Sequence, residues 1–262
     1  MKKFVISSND LKPAIKKLAL AINEKSVLPV TKNILCKVTA GEVHMIATDL
    51  EITISYNCPA QMVEGAPFEL MLPFDFLSKV LTVVKNEPIL IEHPSARKAR
   101  LVCSEDKYEL NSLEKFEDYP AIPAIPKKNK LQLDADFNEL LNLALLTVAK
   151  DELRPSMQRV LLDIQKEASW LASTDAHFMF RHKVSLTNAE PEQIQFSAKM
   201  VKALEGVEAA DLCWSYKQVV IKNDKITVWC RRYDDKYPNY AAVIPGYAAN
   251  LTIDKAMLQE TL

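Results

Sequence analysis

Glycine is scarce in this chain of 262 residues: there are four, Gly41, Gly65, Gly206 and Gly246, and each stands alone. Neither G-x-G-x-x-G nor G-x-x-x-x-G-K-[ST] can be written with glycines so placed. The backbone cradles that hold a dinucleotide or a nucleoside triphosphate are therefore excluded in their standard form. No apolar run is long enough to span a bilayer, and the Lys2-Lys3 start leads into a short strand-like segment and then polar residues rather than a secretory core. Five widely spaced cysteines form an odd set without C-x-x-C, which reads as reduced, mostly buried thiols in a cytoplasmic protein. Charge of either sign is not in excess, with a formal net of −1. That excludes a strong overall pull toward nucleic acid or anionic membrane, though not a local basic face balanced elsewhere.

What the chain has is repetition. Phe4-Val5-Ile6-Ser7-Ser8-Asn9-Asp10-Leu11 opens a short strand and then an amphipathic helix. Leu131-Gln132-Leu133-Asp134-Ala135-Asp136-Phe137 does so again, and Leu251-Thr252-Ile253-Asp254-Lys255-Ala256-Met257-Leu258 begins a third time. A period of roughly 120 residues is that of whole domains rather than solenoid repeats. The first unit spans 1–123. Its helix has a stripe of Leu11, Ile15, Leu18 and Ile22, with Lys12, Lys16 and Lys17 off it. Strands follow at 34–38, 43–47, 52–56 and 68–72, then a helix with Phe76, Leu77, Val80, Leu81 and Val84 inward, then strands at 89–92, 99–103 and 108–110.

A linker at 124–130 leads to the second unit, 131–245, in the same order. Its helix is expected over 137–150 and strands at 160–164, 170–173 and 178–182. A strand at 193–196 enters a second helix at 198–204, and strands at 212–215, 218–222 and 226–230 close the unit. Residues 246–262 read as a linker and the start of a third, largely missing, domain, so the chain is expected to stop inside it. The fold class is α+β, with mostly antiparallel sheets, two helices per domain on one side, and hints of an internal half-repeat. Trp170, Trp214 and Trp229 lie in strand-like runs and read as core.

The spaced motifs carry a resemblance over essentially the whole chain. Leu28-Pro29, Asn33-Ile34-Leu35 and Ala47-Thr48-Asp49-Leu50-Glu51 lie in the first unit. Arg154, Val160-Leu161-Leu162, Ser173-Thr174-Asp175-Ala176-His177 and the phrase Tyr237 to Pro245 lie in the second. Together they resemble the bacterial beta sliding clamps, the beta subunits of DNA polymerase III. The resemblance implies the DNA-clamp fold and a homo-oligomeric ring around duplex DNA, a dimer where a third domain exists. It implies a non-catalytic processivity factor that binds DNA without reading sequence and has as partners the catalytic subunit of DNA polymerase III and the clamp loader. No cofactor, metal or membrane is implied. A clamp-fold paralogue acting only as a protein-interaction module is the competing reading.

On charge alone the lysines are the solvated faces of amphipathic helices, diluted in the second unit by Asp136, Glu139, Asp151 and Glu152. The resemblance makes Lys12, Lys16, Lys25, Lys79, Lys85, Lys150, Arg154, Lys199 and Lys202 the expected DNA contacts, with Lys25, Arg154 and Lys199 matched to positions that are basic or DNA-facing in relatives. It also implies a partner-peptide pocket at Met157, Thr174, Ala176, His177, Phe178, Met179, Pro238, Ala242 and Val243. There the family usually reads Thr-Asp-Gly-His-Arg-Leu, where this chain has Thr174 to Met179, and often has Arg in place of Ala242. A hydrolase built on a strand carrying Asp175 and His177 is a third reading. The parallel Thr48-Asp49 speaks instead for a structural turn.

Overall fold

The computed structural model describes residues 2–95, 97–104, 106–111, 116–151, 153–186, 190–246 and 252–261. The half-repeat hinted at in the sequence is the organising unit: one order of strand, helix and three strands occurs four times. The first set is β1 (Lys2–Ser7), α1 (Ser8–Leu18), β2 (Asn33–Val38), β3 (Glu42–Thr48) and β4 (Ile52–Glu64). The second is β5 (Phe68–Pro73), α2 (Phe74–Val83), β6 (Pro88–Ser95), β7 (Lys98–Cys103) and β8 (Asp106–Asn111). Then come β9 (Asn129–Leu133), α3 (Ala135–Ala144), β10 (Arg159–Ile164), β11 (Ser169–Thr174) and β12 (Met179–Val184). The last is β13 (Glu192–Ser197), α4 (Ala198–Ala203), β14 (Ala210–Trp214), β15 (Gln218–Lys222) and β16 (Ile226–Arg231). A further helix, α5 (Lys255–Thr261), follows, while Thr252 to Asp254, expected to form a strand with Leu251, are not in one, and Leu251 lies outside the described residues.

Neighbouring sets exchange their first strands. β5 lies beside β2 in the β2-β3-β4 meander, and β1 beside β6 in β6-β7-β8. β13 lies beside β10 and β9 beside β14 in the same way. All these pairings are antiparallel. β4 is far longer than the expected 52–56. Its first part pairs with β3, its last residues turn to β1 (Ile6 opposite Ala60), and Ile52 to Tyr56 also pair with β16 on the other edge. That last pairing makes one sheet across the two halves of the chain.

Alternation buries one face of β1, β4 and β7, and the buried helix residues join the same core. Leu11, Ala14, Ile15 and Leu18 of α1 are all buried, each large side chain stabilising by roughly 2 kcal/mol through removal from water. In α2, Leu77, Val80, Leu81 and Val84 are buried as expected, but Phe76 is exposed at the flank and Phe74 packs on the core instead. Asp134 caps α3 by accepting from Phe137 N, and Ser197 caps α4 by accepting from Met200 N. The α-helix of α3 stops at Ala144 and a 3-10 turn carries on to Thr147, short of the expected Lys150, with the Ser173 hydroxyl donating to the Ala144 carbonyl at 2.7 Å. Gly206 (φ +74) closes the turn after α4. The helices line up as α2–α1–α4–α3. Trp214 and Trp229 are buried; Trp170 is half-buried beneath the Arg181 guanidinium, 3.3 Å from its ring centre. All five cysteines are buried. Among the described residues no helix is long and apolar enough to cross a membrane.

The stretch read as a linker, 124–130, is held to the second half. Ile125 packs on Cys213, Val220 and Trp229, Ala124 O accepts from Gln218, and residues 129 and 130 belong to β9. Of the second expected linker, 246–250, only Gly246 is among the described residues.

Candidate nucleic-acid and peptide interfaces

The lysines divide by what their ammonium groups already hold. Lys16, Lys25, Lys85, Lys150 and Lys202 are exposed. Lys79 is exposed beside an equally exposed Asp75 at 2.7 Å, an i,i+4 pair that solvent weakens. Lys12 instead donates to Val84 O at 2.6 Å, satisfying the carbonyl that ends α2. Lys199 reaches across the junction of the two halves to Asp49 Oδ2 at 2.5 Å, with the Asp49 side chain only 3% exposed. Lys17, named in the sequence only as lying off the apolar stripe, donates to Lys202 O at 3.0 Å and Glu205 O at 2.6 Å. Burial there holds the Lys17 ammonium below its ordinary pKa, a shift that Glu205 partly opposes.

Lys150, Lys199 and Lys202 line one groove of about 620 Å³, where the end of α3 and the start of α4 meet Glu51 and Ile52 of the first half. Arg159 also lines it, its guanidinium over the Tyr233 ring at 3.5 Å and bonded to Asp235 at 2.6 Å. Sequence reasoning missed Arg159, whose partners lie 36 and 76 residues away. Lys12 and Lys16 border a separate groove between α1 and α2.

Asp175 to Phe178 do not continue the strand past Thr174. Asp175 to Phe178 form the hairpin turn between β11 and β12, with Thr174 opposite Met179. Asp175 Oδ1 accepts from His177 N at 2.8 Å and Phe178 N at 2.7 Å, and the Thr174 hydroxyl donates to Phe178 O. The Phe178 and His177 amides hold the Asp175 carboxyl below its ordinary range. This carboxylate is committed to the turn and does not orient His177 for catalysis. The first half repeats the device. Asp49 Oδ1 accepts from Glu51 N and Ile52 N, the Thr48 hydroxyl donates to Ile52 O, and Leu50 sits at φ +77 as Ala176 does.

This turn and the segment after Tyr237 wall a second groove, of about 340 Å³. Eight of the nine expected pocket residues line it: Met157, Thr174, Ala176, His177, Phe178, Met179, Pro238 and Val243. Ala242 does not, while Asn239 and Tyr240, both inside the Tyr237 to Pro245 phrase, do. Phe178 and Val243 are 70% and 68% exposed, so the groove presents apolar surface to solvent. Its floor is firm: Tyr240 OH donates to Asp163 Oδ2 at 2.8 Å, and burial pushes the Tyr240 phenol up to about 12. Arg154 stands at the rim, donating to Asp175 O at 3.5 Å.

Residues 2–123 match the family model of the DNA polymerase III beta subunit, N-terminal domain. The beta sliding clamp of Synechococcus elongatus is 23% identical, over 99% of this chain and 72% of its own length. Residues 2–123 belong to the DNA polymerase III beta subunit family, and over its length the chain is similar to beta sliding clamps. The beta sliding clamp of Lactococcus lactis is 22% identical, over 100% of this chain and 73% of its own. The fold is that of solved clamps. The Bacillus subtilis sliding clamp superposes with TM-score 0.82 at 19% identity, over 93% of this chain and 68% of its own. The Helicobacter pylori beta clamp, bound to a DNA ligase peptide, does so with TM-score 0.83 at 15% identity, over 94% and 70%.

Proposed function

We propose that this chain is a DNA sliding clamp subunit: it contributes to a ring around duplex DNA and tethers the replicative polymerase, without catalysing a reaction itself. The observation that carries this is the β4–β16 pairing, which joins two similar halves edge to edge and sets their four helices in one row. Amphipathic helices on one side of a continuous sheet give a surface that meets the phosphates as diffuse positive charge. Such contacts hold DNA without favouring any position along it. Residues 1–123 and 131–245 are taken as the two clamp domains. Lys16, Lys25, Lys79, Lys85, Lys150, Arg154 and Lys202 are taken as the DNA-facing cations. Lys12 and Lys199 already spend their ammonium groups on protein partners.

The groove at Thr174 to Met179 is taken as the docking site for a short peptide of the polymerase and of the clamp loader, with Phe178 and Val243 as its apolar contacts. Action is placed in the cytoplasm, where the chromosome is replicated. The test measures retention on closed circular and on linear duplex across a salt series, beside binding of a clamp-binding peptide. Lys150→Met and Lys202→Met should each lower the salt slope by about 0.9 and leave peptide binding unchanged. Phe178→Ala should weaken the peptide about tenfold and leave DNA retention unchanged. Peptide binding with no DNA retention at low salt would favour the interaction-module reading instead.

A further inference from the structure

We propose that the face of the second half's sheet turned away from the helices is a docking surface for an acidic segment of a partner protein, built around Tyr216. Alternation splits this sheet into two faces. Leu212, Trp214, Val219 and Ile221 join the core shared with α3 and α4, while Cys213, Val220 and Trp229 pack with Ile125 on the other side. Two hydrogen bonds tie the segment 124–129 along that outer side. Ala124 O accepts from Gln218, and Asn129 Nδ2 donates to Trp214 O at 3.3 Å. Both anchors belong to the β14–β15 hairpin. Lys127 and Lys128, in the bend between the anchors, are therefore held beside the hairpin tip, Ser215 to Gln218.

Positive charge gathers on this face. Residues 124–133, 215–222 and 226–232 carry seven cations and no acid, in a chain whose formal net charge is −1. Acids from elsewhere hold only three of the seven: Asp211 takes Lys130 at 3.0 Å and Lys222 at 3.9 Å, and Glu192 takes Arg232. The other four, Lys127, Lys128, Lys217 and Arg231, are exposed and meet no carboxylate among the described residues. Arg231 lies opposite Gln218 and so shares its face. Tyr216 stands at the tip, 77% exposed, with the Lys217 ammonium 5.3 Å from its ring centre.

A tyrosine ring left in water among unpaired cations is complementary to a segment that brings carboxylates and one apolar or aromatic side chain. Single-stranded nucleic acid is held instead by successive aromatic platforms along a basic groove. This face offers one exposed ring, which suits a short acidic peptide better than a run of bases. The helices that meet duplex DNA in the sliding-clamp reading lie on the opposite side of the sheet. The docking surface therefore stands whether or not those helices hold DNA.

The experiment is fluorescence anisotropy on the 262-residue chain. The probe is a labelled peptide of about twelve residues, glutamate and aspartate around one tryptophan, beside a control in which glutamine and asparagine replace the acids. The acidic peptide should bind at about 50 mM salt and be released by about 300 mM, and the neutral control should not bind. K127E/K128E should weaken binding about tenfold. Tyr216→Ser should weaken it about fivefold and Tyr216→Phe should leave it intact, separating a lost ring contact from a damaged turn. Retention on closed circular duplex should be unchanged in K127E/K128E. No binding of the acidic peptide at about 50 mM salt, equal binding of the neutral control, or an affinity that K127E/K128E does not move would overturn the surface. A single-stranded oligonucleotide of equal charge that binds more tightly and is lost with the same variants would replace the peptide by nucleic acid, as would an equal fall in duplex retention.

Discussion

Lys199 can hold a DNA phosphate or Asp49, and the geometry favours Asp49. The Asp49 carboxylate is nearly buried and uses one oxygen on Glu51 N and Ile52 N, at 3.1 and 2.9 Å, and the other on Lys199. Removing the cation leaves a buried negative charge with two neutral donors. A hydrogen bond between charged partners contributes about 1.5–3 kcal/mol when shielded. The Lys199 side chain is 48% exposed, so solvent screening cuts this to about 1 kcal/mol. Lys199→Met should therefore lower Tm by about 2–4 °C. A double-mutant cycle with Asp49→Asn should return a coupling of about 1 kcal/mol, because the asparagine keeps an acceptor for the turn but offers no charge. The same lysine variant separates the two roles. A lost phosphate contact lowers the salt slope of DNA retention by about 0.9, as expected for Lys202→Met, whereas Lys199→Met should change it by less than about 0.3. Thermal melts of four proteins and one salt series settle it. A coupling near zero, together with a slope change as large as that of Lys202→Met, would refute the reasoning.

Leu50 and Ala176 both lie at φ +77, a region that costs a residue with a Cβ about 1 kcal/mol. Leu50, 55% exposed, packs little, so Leu50→Gly should raise Tm by about 1–2 °C once the freer unfolded chain is allowed for; a fall in Tm would mean that its side chain matters. Asp175 is held below its ordinary pKa in the folded chain. Its contribution is therefore complete above the usual carboxylate range and lost as pH falls through the lower, folded-state value. Asp175→Asn should flatten the acid limb of the stability profile while keeping the turn, and an unchanged limb would show that other carboxylates set it.

Periodicity made much of this fold legible. The spacing of Leu11, Ile15 and Leu18 gave α1 its buried face, and alternation located the strands to within a few residues. Interactions distant in sequence hid the rest. β4 runs on to Glu64 past Pro59 and polar Asn57 and Gln61 because β1 and β3 both need its edges, which no local pattern announces. α3 tightens into a 3-10 turn after Ala144, whose carbonyl accepts from a serine 29 residues later. The groove at Thr174 to Met179 was traceable through the resemblance, since its walls come from two quoted motifs. Lys199 was not, because its partner lies 150 residues away, and a lysine on an amphipathic helix looks the same whether it faces phosphate or a buried aspartate.

The two Thr-Asp hairpins are one device in two surroundings. Thr48, Asp49 and Leu50 make the same hydrogen bonds and backbone angle as Thr174, Asp175 and Ala176. After the first hairpin Ile52 is 2% exposed, covered where β16 pairs with β4; after the second, the equivalent Phe178 is 70% exposed. The difference lies in what packs beyond the turn, not in the turn. The first edge is the covered junction of the two halves, and the second leaves the apolar side chains of the Thr174 to Met179 groove in solvent.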